Sequence, residues 1–212
     1  MSKLLNSHEV AKWFIYNNPS LASGYSDENI KLNKLLYFSS LMYYCIEEKM
    51  LLDESFVAFP KGPVIRSIYR DYRYNGLDRM PDSDSIQEMN ERQRQVLYII
   101  NFVYGDRNAS ELIDESHEHS LWKDVESFIP NNPLIDFKYT EIELKEYYRS
   151  LFNMYKGFDF SDIKKDKING NIFYYSKSTF EMTDEIMFKL SQLDKMSSPQ
   201  YIELLDGELV FS

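Results

Sequence analysis

The chain has 212 residues, 43% of them hydrophobic, and a net charge of -10. That length can bury a core without staples, the single cysteine excludes an internal disulfide, and a reducing, cytoplasmic setting is the expectation. The acidity opposes binding to a nucleic-acid backbone, which needs clustered Lys and Arg, and no run of about 18 apolar residues marks a membrane span or signal peptide.

Taken in chain order, Ser7 precedes a helical pattern carried by Val10, Phe14 and Ile15, which stops at Asn17-Asn18-Pro19 because proline disfavours helix in the residue before it. Asp27 is placed to cap the longest segment, NIKLNKLLYFSSLMYYCIEEK, whose Ile30, Leu35, Leu36, Met42, Tyr43 and Ile46 keep a 3.6-residue period. This helix is expected at the centre of the core, with Cys45 as an apolar filler on it. SFVAFP is aromatic and branched enough for a short strand ending at Pro60. Gly62 and Pro63 then read as a rigid corner, with Pro63 at the first position of a helix carrying Val64, Ile65, Ile68, Tyr69 and Tyr72.

A polar linker, DRMPDSDSIQEMN, precedes a helix over 91–104. Asn108 with Glu111 forms a capping-box pattern, Ser120 is placed to cap LWKDVESF, and Thr140 with Glu143 forms a second box ahead of Leu144, Tyr148, Leu151, Phe152 and Tyr155. From residue 158 the chain turns polar, and we place a boundary there, giving a helical domain over 1–157 and an extension over 158–212. The extension holds an Asn-Gly turn signal, a strand at IFYYS, a helix over about 180–194 after a Ser178 to Glu181 box, and a terminal hairpin about Asp206-Gly207. The fold class is mainly α, with a short strand element and a C-terminal β-hairpin.

Signals for chemistry are sparse. His117, Glu118 and His119 suggest a metal-dependent hydrolase, but two histidines two apart leave a helix in different directions, whereas a helical metal pair needs them four apart. No G-x-S-x-G stretch is present, and KGPVIRS lacks the glycines that wrap a phosphate, although Lys61 and Arg66 can hold an isolated anion at a helix start. The short helices over 108–128 leave a DNA-binding regulator open as an alternative, against the charge. The 17 tyrosines serve either as core rings with solvated hydroxyls or as anchors for a protein partner.

Four ordered stretches carry a resemblance: VAKWFI at 10–15, IKLNKLLYF at 30–38, FVAFPKGPVIRSIYRDYRYNG at 56–76 and VYGDRNASELIDESHEHSLW at 103–122. Together they resemble the Panacea domain, the SocA-like family of bacterial and phage antitoxins that includes phage-associated GepA-like proteins. The matching residues include Lys34, Tyr37, Gly62, Pro63, Val64, Tyr69, His117 and Trp122, while Asn33, Pro60-Lys61, Ser116 and Leu121 depart from the usual pattern. The resemblance implies a helical platform without catalytic activity or cofactor that neutralises a cognate toxin by direct contact. For the SocA-like branch it also implies delivery of the toxin to the ClpXP protease; masking is the preferred mode, and homo-oligomerisation is left open. Within the extension, Tyr201, Ile202, Leu204, Val210 and Phe211 are the expected partner-binding residues, unless the hairpin pairs with IFYYS in the same chain.

Overall fold

A computed structural model describes residues 3–79 and 89–211, so most of the polar linker expected over 78–90 lies outside the described residues. The chain divides into two compact units, Met1–Gly157 and Phe158–Ser212. Among the described residues no helix is long and apolar enough to cross a membrane. The architecture is mainly α with a smaller β component.

The first unit is organised by α2 (Ser26–Glu47), in which every residue from Leu32 to Tyr43 is buried. A helix buried on all sides must be covered on all sides. The cover comes from α1 (Ser7–Asn17), a hairpin of β1 (Val57–Phe59) and β2 (Gly62–Val64), α3 (Arg66–Tyr74), α4 (Glu91–Tyr104), α5 (Ala109–Glu118) and α7 (Ile142–Tyr155), all packed against α2. The four-residue α6 (Ser120–Lys123) packs on α5.

Local signals explain some helix starts and fail for others. Both halves of the Asn108–Glu111 box form at α5, and an unforeseen box of the same kind, Asn90 with Gln93, opens α4. At α1 the cap is Asn6, which accepts from the His8 and Glu9 amides, and Ser7 is already helical. Asp27 lies in the first turn of α2, not at its cap, where its charge still favours the helix dipole. The Thr140–Glu143 box does not form, because Thr140 Oγ1 donates back to the Phe137 carbonyl at 2.6 Å and Glu141 occupies the cap position. Ser120 is the first residue of α6 and caps nothing; a 3₁₀ turn over Glu126–Asn131 follows and contains Pro130.

The Gly62-Pro63 pair also departs from expectation. Residues 62–64 form a strand, registered Val57 with Val64, Ala58 with Pro63 and Phe59 with Gly62, and α3 starts only at Arg66. Proline is tolerated because the Ala58 amide turns away from it and donates to the Pro133 carbonyl at 2.9 Å. Pro63 therefore occupies a pair that exchanges no hydrogen bonds, where a missing N–H costs nothing.

The second unit is a four-stranded sheet in the order β3 (Ile163–Ile168), β4 (Asn171–Ser176), β5 (Gln200–Leu205), β6 (Glu208–Phe211), in which only the β4–β5 pair is parallel. Asn169-Gly170 and Asp206-Gly207 turn its two hairpins with positive φ at both residues, as two-residue type I′ turns require. The connection from β4 to β5 carries α8 (Asp184–Ser191), shorter than expected because Thr183, not Ser178, supplies the cap. Phe173, Tyr175, Phe180, Leu190 and Ile202 form the core of this unit. The terminal hairpin thus pairs with IFYYS in its own chain, at Phe173 with Gln200 and Tyr174 with Tyr201.

Replacing Asn108 by Ala removes the oxygen that accepts from the Glu111 amide at 3.0 Å. The expected loss is about 1 kcal/mol, measured by urea unfolding of the whole chain followed through helical circular dichroism.

Candidate functional site

Two of the matched stretches meet where the β1–β2 hairpin lies over α2. Gly62 has φ +93°, a conformation that side chains resist, and a Cβ added there would fall 2.6 Å from Ser116 Oγ and closer still to Lys34 Nζ. Glycine is therefore demanded twice, by the backbone angle and by the two side chains beneath it. Lys34 is fully buried, and its Nζ donates to the Pro63 carbonyl at 3.3 Å. Burial pushes its pKa from 10.5 down to about 7.

Beside Lys34, Asn33 ties the helix to the exit of the hairpin. Its Oδ1 accepts from the Ile65 amide at 3.0 Å, its Nδ2 donates to the Asn29 carbonyl at 2.9 Å, and Asn29 Nδ2 donates to the Tyr69 carbonyl at 2.9 Å. The Tyr69 ring meets Phe59 edge to face at 5.7 Å. Val64 closes the hairpin as a buried residue. Asn33 and Ser116 were visible in the sequence only as departures from a pattern. What could have singled out Asn33 is its place, a short polar side chain within the apolar run of a central helix.

On the α5–α6 side, Trp122 Nε1 donates to the Phe59 carbonyl at 3.1 Å, and the His117 ring stacks on Trp122 at 3.7 Å. His117 Nε2 is buried without a hydrogen-bond partner, and burial, followed by the charge of Lys34, lowers the pKa of this ring. His119 faces inward, its Nδ1 paired with the Tyr37 hydroxyl at 3.1 Å, and burial holds its pKa down at about 4. Glu118 points to solvent and pairs with Lys123 at 2.7 Å. His117, Glu118 and His119 thus take three different directions, and among the described residues no group of three or more His, Cys, Asp or Glu could hold a metal ion. Burial also pushes the Cys45 thiol up to about 12, which removes it as a nucleophile. In the segment with a helix-turn-helix look, α6 is only four residues long, with Leu121 and Trp122 buried, so it offers no recognition helix.

A cavity of about 240 Å³ opens beside this cluster, lined by Ile30, Lys34, Phe59, Lys61, Val64 and Tyr69 among others. Arg66, the suggested partner of Lys61 for an anion, starts α3 and does not line it. The structure therefore brings Lys34, Val64 and Tyr69 together at the cavity, with Gly62 packed against Lys34 and the Pro63 carbonyl bound to its Nζ. His117 and Trp122 brace the other side of the hairpin, and Tyr37 belongs to the aromatic core with Phe38, Phe56 and Phe137.

The expected partner-binding residues split between the two faces of the second unit's sheet. Ile202 is fully buried in the core, a correction to its expected exposure. Phe211 stands opposite it in register, and Leu204, two residues along, shares that face at 40% exposure. Tyr201 lies on the other face, stacked with Phe158 at 6.3 Å, and so does Val210, which pairs with Glu203.

Residues 32–123 match the family model described as antitoxin SocA-like, Panacea domain. No curated protein and no solved structure matches the chain.

Gly62→Ala should destabilise the first unit by about 2–4 kcal/mol, from the positive φ and the collision with Lys34 and Ser116 together; thermal unfolding of the purified variant checks this. A pH dependence follows from Lys34, whose proton leaves at about 7 in the folded chain and at 10.5 in the unfolded one. Below about 7 both states hold the proton and the cost of burying the charge is complete. Between the two values the unfolded chain holds more protons, so stability rises with pH. Cys45 acts in the opposite sense once its unfolded thiol ionises near 9.0, which sets the upper end of the useful window. Urea unfolding should show the parent gaining about 1–2 kcal/mol relative to Lys34→Met from roughly pH 7 to 8.5.

Proposed function

We propose that the protein is an antitoxin that neutralises a cognate protein toxin by direct binding, with the first unit as platform and the sheet of the second unit as part of the grip. The observation that carries this reading is the match of residues 32–123 to the SocA-like antitoxin domain. The packing of the matched residues supports a platform in preference to a reaction centre. Lys34 ties the Pro63 carbonyl of the hairpin to α2, Trp122 ties α6 to the Phe59 carbonyl with His117 stacked on it, His119 is spent on Tyr37, and the Cys45 thiol is held protonated.

Supporting the second unit's part is the position of β6 at the edge of its sheet, with one neighbour on one side only. A strand from another chain can add to such an edge through main-chain hydrogen bonds, with side chains such as Leu205, 53% exposed, and Val210 in contact. Ile202 has no place in that contact, being used by the core beneath.

The test is co-expression with the small protein encoded by the adjacent gene. The expected result is that the neighbour arrests growth alone, that growth returns with this protein present, and that the two purify as an intact complex. Rescue that vanishes in a host lacking ClpXP would replace masking by delivery to the protease; absence of both rescue and complex would overturn the reading. Val210→Lys should weaken capture of the toxin by about tenfold or more, with thermal stability little changed because the side chain is outside the sheet's core.

A further inference from the structure

Three properties meet at the β6 edge of the second unit's sheet: free main-chain groups, a thinly covered apolar face and uncompensated negative charge. The two-residue turn makes Leu205 and Glu208 a pair that exchanges hydrogen bonds, and alternation makes Glu203 and Val210 the next such pair. The N–H and C=O groups of Leu209 and Phe211 therefore point away from β5, to the side where β6 has no neighbour in the sheet. Leu204, Leu209 and Phe211 share the face that Ile202 gives to the core. Because α8 packs against β3, at the far side of the sheet, that face is thinly covered near β6, where Leu204 is 40% and Phe211 37% exposed. Glu203, Glu208 and Val210 lie on the opposite face, and Asp206 is in the turn. Residues 196–211 contain no Lys or Arg, and the ion pairs among the described residues of this unit, Lys164 with Asp166 and Lys189 with Glu185, leave the three carboxylates out.

We infer that β6 accepts a strand of alternating apolar and basic residues from another polypeptide, with the apolar residues beside Leu209 and Phe211 and the Lys or Arg residues opposite Glu208 and across Val210 from Glu203. This rests on the reading of β6 as a gripping edge and names the chemistry of the segment it holds. The alternation follows from strand geometry. Residues of an added strand that stand opposite Leu209 and Phe211 fall on the core face, where apolar side chains extend the cover over Leu204 and Phe211. The residues between them fall on the face of Glu203 and Glu208, where a cation is attracted and an acid repelled.

A second copy of the chain fits this edge less well through either of its own sheet edges. Its β3 has the right charge, but the two alternating sets of that strand are Ile163, Lys165, Lys167 and Lys164, Asp166, Ile168. Neither set offers two successive apolar residues for Leu209 and Phe211. Its β6 has the apolar residues but brings a second Glu203, Asp206 and Glu208 onto the same sheet, which adds repulsion.

The experiment is fluorescence anisotropy of labelled peptides titrated with the full chain. The probes are an alternating basic peptide, Lys-Val-Lys-Val-Arg-Ile-Lys, a block peptide of the same composition, Lys-Lys-Arg-Lys-Val-Val-Ile, and an alternating acidic one, Glu-Val-Glu-Val-Glu-Ile-Glu. The alternating basic peptide should bind about tenfold or more tightly than either of the others. Its advantage over the acidic peptide should shrink several-fold in the double variant Glu203→Lys, Glu208→Lys. Equal binding of the alternating and block peptides, which the net charge of -10 alone would produce, would overturn the inference. So would no binding of the alternating peptide up to about 1 mM, or a folded double variant that keeps the full preference. A parent that is dimeric in sedimentation and becomes monomeric as Val210→Lys would assign the edge to a second copy and also overturn it. The peptide comparison is made on the parent, so it stands even if the double variant does not fold. A toxin neutralised while the peptides fail removes this inference alone, and peptide binding without neutralisation removes the antitoxin reading alone.

Discussion

The architecture of the first unit depends on a polar strip within a helix that is otherwise sealed in apolar contacts. Asn29, Asn33 and Lys34 lie on α2 where it meets the β1–β2 hairpin and the start of α3, and all three are buried. A two-stranded hairpin is too small to satisfy its own backbone, and the strip supplies what is missing. Asn33 takes the Ile65 amide, Asn29 takes the Tyr69 carbonyl and Lys34 takes the Pro63 carbonyl. An apolar helix surface here would leave the Ile65 amide and the Pro63 carbonyl buried without partners, at about 1–3 kcal/mol each. The hairpin can approach this closely only because residue 62 has no side chain.

Aromatic packing completes the same unit in a way that explains the tyrosine content. Phe38 stacks on Tyr104 at 4.6 Å, and Tyr37 lies against Phe56 and Phe137. Their hydroxyls are anchored: Tyr104 to Glu115 at 2.8 Å, Tyr72 to the Leu21 carbonyl at 2.6 Å, and Tyr37 to His119. A phenol can end a core and still reach a polar partner at its margin, which a phenylalanine cannot. Tyr25, Tyr74 and Tyr139 instead remain open to solvent, so the tyrosines divide between core and surface.

What was legible in the sequence was whatever is decided locally. The period of 91–104, the Asn108–Glu111 box and the Asn-Gly and Asp-Gly turns each depend on residues a few positions apart, and each formed. Pro63 was misplaced because a helix start and a hairpin pair without hydrogen bonds both tolerate a missing amide; the choice is made by Ala58 and Pro133, far away in sequence. Thr140 and Ser178 had other backbone partners or a better-placed rival, and β3, with Lys164, Lys165 and Lys167, lacks strand propensity and forms through pairing with β4. Lys34 stood out as part of a motif, but its burial follows from five helices and a hairpin closing round α2.

The two edges of the second unit's sheet differ in a way that bears on partner binding. Along β3 the exposed Lys164, Lys165 and Lys167 place ammonium groups where an added strand would lie, a usual defence against edge-to-edge association. The β6 edge, Glu208-Leu209-Val210-Phe211, has no lysine and no proline. One edge is guarded and the other is not, so a chain adding to this sheet meets less resistance at β6. The core does not compete for that edge, since Ile202 and Phe173 are already satisfied by Leu190 and Phe180 beneath the sheet. Strand addition there would extend the sheet without requiring the core of the unit to rearrange.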